Sequence, residues 1–122
     1  MMFLYVGLGG ALGAMARYAI SLIPNDTGFP YLTLVTNLLG ALFIGVIVGA
    51  AEQNPNASQG LVTFLKTGFC GGFTTFSTFS LEAFILFEKK AYGKASVYMI
   101  LSLGLCLAGV ACGKVIVKCI AR

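Results

Sequence analysis

The 122-residue chain contains no histidine and only four acidic residues, Asp26, Glu52, Glu82 and Glu88. Its four cysteines include no CxxC pair, so the ligand sets of the usual zinc sites are missing. Charged residues make up 10% of the chain, against roughly a quarter in an ordinary soluble domain. That scarcity, with a hydrophobic fraction of 58%, excludes a soluble fold and implies an integral membrane protein. The formal net charge of +4 does not indicate nucleic acid, because the basic residues stand singly or in one short cluster at the ends of apolar segments. No low-complexity tract or internal repeat is visible, and the length leaves room for one membrane domain, residues 1–122, and nothing besides.

What is present is four long apolar stretches, about 3–22, 31–51, 61–87 and 95–120. Each is near or above the ~20 residues a helix needs to cross ~30 Å of hydrocarbon. The segments between them, IPNDTGFP, EQNPNASQG and the charged turn from Glu88 to Lys94, carry turn residues or charge. The fold expected is therefore all-α: four transmembrane helices with short loops and both termini on one side. The first stretch has neither a basic flank nor a cleavage pattern and reads as a retained span. Gly9-x-x-x-Gly13, Gly45-x-x-x-Gly49 and Gly109-x-x-x-Gly113 invite close helix packing. The cysteines fall in apolar segments and read as small buried residues.

Polar residues inside these spans are few. Arg17 is either functional or snorkels to the interface. Thr33 and Asn37 share a helix face, and Asn37 is either an interhelical strut or a ligand. Tyr98, Ser102 and Cys106 form a polar-edged stripe on the last span.

The third stretch is the unusual one. Its segment GFCGGFTTFSTFS, residues 68–80, places glycines before five hydroxyl residues interleaved with phenylalanines. Gly71-Gly72 is the expected point of a helix break at mid-membrane depth. A break would free carbonyls to cage a hard cation. Thr74, Ser77 and Thr78 would follow as a run of hydroxyls on one face, beside Phe69, Phe73, Phe76 and Phe79. The side-chain groups are mostly donors, and phenylalanine edges carry the positive end of the ring quadrupole, so the wall suits an anion. Packing between helices is the bland reading of the same residues.

The basic residues also bear on orientation. Lys66, Lys114, Lys118 and Arg122 fall on the side of the termini; Arg17, Lys89, Lys90 and Lys94 fall on the other. The balance removes the usual orientation bias. It predicts insertion both ways and an antiparallel, dual-topology homodimer about an axis in the membrane plane.

These three motifs, GGALGAMARY, TLVTNLLG and GFCGGFTTFSTFS, resemble the Fluc/CrcB family of fluoride channels, in the same order and over the whole chain. The resemblance implies antiparallel dimers with two fluoride pores in the cell membrane, giving passive efflux of fluoride that enters as HF. It implies a structural, non-transported Na+ held by the backbone carbonyls of Gly71 and Thr74 from both subunits. Phe76 and Phe79 would turn ring edges to fluoride and Asn37 would donate to it. Thr33, Ser77, Thr78, Tyr98 and Ser102 would join the polar lining, Arg17 a vestibule, and Glu82 the pore end. Cys106 departs from the family, which has a hydroxyl there, and a thiol is a weaker donor. Two other readings are a small four-helix multidrug transporter, which needs a glutamate that residues 3–22 lack, and a non-transporting assembly subunit.

Overall fold

A computed structural model describes residues 1–122 and contains helices but no strand. Helix α1 spans Met2–Ser21 and α2 spans Tyr31–Gln53. The third span is composite. It starts with α3, Gln59–Thr63, passes through a π-helical segment, Phe64–Cys70, and one turn, α4, Gly71–Phe73, and continues as α5, Phe76–Glu88. Helix α6 closes the chain at Tyr92–Ile120. Four helical units, Met2–Ser21, Tyr31–Gln53, Gln59–Glu88 and Tyr92–Ile120, are long and apolar enough to cross a membrane.

The loops stop the helices by local chemistry. Asn25 accepts from the amide and hydroxyl of Thr27 at 3.1 and 2.7 Å and donates to the Phe29 carbonyl at 2.8 Å, folding the first loop on itself. Gly28 there has φ +72°, a conformation that favours glycine. Ser58 accepts from the Leu61 amide at 3.3 Å and so caps α3.

The four spans pack as two parallel pairs, each backbone against backbone. A Cβ on Gly9 would overlap the Phe64 carbonyl, and one on Gly13 the Phe69 carbonyl, so α1 lies directly on the π-helical segment. Gly72 meets Gly10 in the same way. In the second pair a Cβ on Gly45 would strike the Val110 carbonyl and one on Gly113 the Leu42 carbonyl. Small residues serve here as they do in membrane helix pairs, where lipid provides no hydrophobic drive and close contact must do the work. Gly49 and Gly109 are looser, with nearest atoms at 3.3 and 3.1 Å.

Little of the chain is interior. Only 18 of 122 residues are buried, and Phe3, Ile100 and Leu103 are 94%, 71% and 68% exposed. An apolar outer surface of this extent belongs against lipid or a partner rather than water. The cysteines correct the expectation of uniform burial: Cys70 is buried and Cys106 half-buried, whereas Cys112 and Cys119 lie on the outer surface of α6.

Candidate functional site

The helical path through the third span stops at Thr74 and Thr75, which are extended (φ −85°, ψ 155° and φ −148°, ψ 120°). The glycines expected to cause the interruption do not. Gly71 keeps helical angles, φ −62° and ψ −38°, and Gly72 serves the close approach to Gly10. The interruption is held from α2. Asn37 accepts from the Thr75 amide at 2.8 Å and donates to the Thr75 carbonyl at 3.1 Å. One side chain thus satisfies both backbone groups of a residue outside the helix, which a buried irregular segment requires. Thr75 then restarts the chain: its hydroxyl accepts from the Thr78 amide at 3.1 Å and caps α5.

Two carbonyls lose their helical partners as a result. The Thr75 amide would ordinarily serve the Gly71 carbonyl, and the Thr78 amide the Thr74 carbonyl; both donate elsewhere. The Gly72 carbonyl, also near the interruption, accepts from Arg17 Nε at 3.0 Å.

Two clefts flank Thr75. The larger is an open groove of about 670 Å³ between α2, the third span and α6. Asn37, Gly71, Thr74, Phe76, Phe79, Ser102 and Cys106 line it. Phe76 stands 79% exposed, its ring 5.6 Å from Phe79, which in turn lies 5.2 Å from Tyr98. The Ser102 hydroxyl is buried and has no hydrogen-bond partner, a costly state unless a ligand meets it. The smaller cleft, of about 80 Å³, is lined by Arg17, Thr33, Thr36, Thr75, Thr78 and Glu82 among others.

Glu82 joins the two sides. Its carboxylate accepts from Thr33 Oγ1 at 2.8 Å and from Tyr98 Oη at 2.8 Å. Tyr98 is completely buried, so its hydroxyl faces Glu82 and not the groove.

Several sequence-based expectations change here. Thr74, Ser77 and Thr78 do not form one hydroxyl face, because Thr74 is itself extended and the helix that carries Ser77 and Thr78 restarts only at Phe76. The Thr74 hydroxyl donates to the Cys70 carbonyl at 2.8 Å, Ser77 lies 3.5 Å from the Thr75 hydroxyl, and Thr78 turns to the smaller cleft. The stripe on α6 divides as well: Ser102 and Cys106 line the groove, while Tyr98 is core. Arg17 is anchored to a backbone carbonyl beside the interruption. Thr75 was not singled out by sequence. Its signal was a threonine directly before the FSTFSLEAF run, a helix-capping position.

The family model for CrcB-like protein, Camphor Resistance (CrcB), matches residues 4–114. A protein of Rhodopseudomonas palustris (strain BisB5) named fluoride-specific ion channel FluC is 42% identical over 123 aligned positions, covering 98% of this chain and 99% of its own. A protein of the same name from Ruminiclostridium cellulolyticum is 44% identical, covering 95% and 92%. A third, from Ruegeria sp. (strain TM1040), is 46% identical over 90% and 89%. With the match running from the first span into the last, the chain belongs to the CrcB-like protein family.

Proposed function

We propose that this chain is a fluoride-specific ion channel of the cell membrane, giving passive efflux that lowers cytoplasmic fluoride. The observation that carries the reading is membership of the family along nearly the whole chain, among relatives named as fluoride channels. The geometry fits it. Fluoride holds its water tightly, and a path must replace that water with donors in close succession. The groove offers the unpartnered Ser102 hydroxyl, the second amide hydrogen of Asn37 and the rings of Phe76 and Phe79. Channel and coupled transporter differ in need: a multidrug transporter of this size uses an acid in its first span, and residues 3–22 have none.

The working unit in this reading is an antiparallel homodimer of dual topology, with the helix interruption at mid-membrane depth. Balanced basic residues support insertion both ways, and the open face carrying Phe76 supports a second copy across it. The Gly71 and Thr74 carbonyls suit a hard cation, since both have lost their helical donors and neutral oxygens are what Na+ accepts. A Na+ there would neutralise carbonyl dipoles gathered at the two-fold axis and would not itself be transported. Arg17, Thr33, Thr78 and Glu82, which line the smaller cleft, would continue a polar path beyond Phe79, with Tyr98 holding Glu82 from behind and Ser77 at its edge.

Labelling of a terminal cysteine tag in intact cells tests the arrangement. Partial labelling from outside, completed on permeabilisation, is expected; labelling wholly from one side contradicts dual topology. Replacing Na+ by a large organic cation is expected to slow fluoride efflux and weaken the dimer, and unchanged efflux contradicts the cation site.

A further inference from the structure

The groove wall contains a single charged residue, Lys66, on the π-helical segment. It lies seven residues beyond the start of the third span at Gln59, roughly 10 Å along the helix axis at 1.5 Å per residue. A cation within a span is costly and marks a functional site by default, with a paired acid as the usual compensation. Lys66 has none: the one salt bridge in the chain joins Lys114 to Glu52 at 2.9 Å. The remainder of the wall is apolar or carries hydroxyls, thiols and the Asn37 amide, and no acid in it offsets the charge.

We infer that Lys66 is a fixed positive charge of the anion path, additional to Arg17, and a determinant of its rate. The inference rests on the channel reading above and assigns it a residue that no resemblance or motif supplied. Antiparallel pairing gives the position its meaning. Counted from the midpoint of Gly71 and Thr74, Lys66 lies roughly 10 Å to one side at helical rise. Phe76 lies roughly 9 Å to the other, because the two extended residues before it advance about 3.3 Å each. In an antiparallel pair each subunit's Lys66 therefore falls at the depth of the other's Phe76. At the depth of the exposed Phe76 the wall has no charge of its own, and the facing copy brings one. The low polarity of the groove leaves that charge less screened than it would be in bulk water.

Fluoride efflux from liposomes bearing purified wild type, K66R, K66M and K66E tests this. K66R is expected to stay within about twofold of wild type, since it preserves the charge. K66M is expected to slow efflux about tenfold, the effect of a unit charge some 10 Å away at an effective dielectric near 20. K66E should be slower still. K66Q replaces K66M if the latter does not purify as a dimer. Equal rates in wild type and K66M, or an equal loss in K66R and K66M, would overturn the inference, the second by showing a role for shape and not charge. Wild type that conducts no fluoride would instead overturn the channel reading, so the two failures are distinguishable.

Discussion

Asn37 clasps Thr75 at two points, accepting from its amide at 2.8 Å and donating to its carbonyl at 3.1 Å. The clasp acts on backbone, so the identity of the residue at 75 matters less than the amide at 37. N37A should leave two polar groups unsatisfied at the helix interruption, at a cost of about 1–3 kcal/mol each. T75A keeps the clasp and loses only the cap, about 1 kcal/mol. Thermal or denaturant unfolding in detergent is expected to rank wild type above T75A and T75A above N37A, with fluoride efflux lost in N37A.

Phe76 separates channel from assembly subunit. Its side chain is 79% exposed in the single chain, so truncation removes little folded-state packing. F76A is expected to change the stability of the protomer by no more than about 0.5 kcal/mol, as for other surface positions. Fluoride efflux should nevertheless fall at least tenfold. Loss of stability with flux intact would favour an assembly role.

The glycines divide into two classes that alanine substitution should distinguish. Gly13 and Gly113 have backbone atoms where a Cβ would sit, so G13A and G113A must push helices apart. Overpacking of this kind costs about 1–3 kcal/mol or more. Gly7 and Gly104 have nothing within 4 Å, and G7A and G104A should be neutral or gain up to about 1 kcal/mol from helix propensity. Unfolding midpoints of the four variants check the division.

The spans were legible because hydrophobic length is a coarse signal that membranes enforce on every helix. Gly9 and Gly13 announced a close contact, and the contact is there. The location of the interruption was not legible, since it depends on which partner reaches across from α2. Gly71 and Gly72 permit non-helical angles, but permission is not cause: Asn37 reaches Thr75, 38 positions away in sequence. The π-helical segment left no trace in composition either; it is the stretch on which Gly9 and Gly13 of α1 pack directly. Tyr98 shows the same limit. Its spacing placed it on one stripe with Ser102 and Cys106, yet its hydroxyl donates to the Glu82 carboxylate in the core, leaving Ser102 and Cys106 on the groove.

The central claim is that this chain forms a passive path selective for fluoride, and efflux from liposomes tests it directly. Purified protein in vesicles loaded with potassium fluoride should release fluoride rapidly once valinomycin lets potassium follow. Release should need no proton gradient, and chloride-loaded vesicles should release almost nothing. Fluoride release no faster than from empty vesicles, or release that requires a proton gradient, would contradict it.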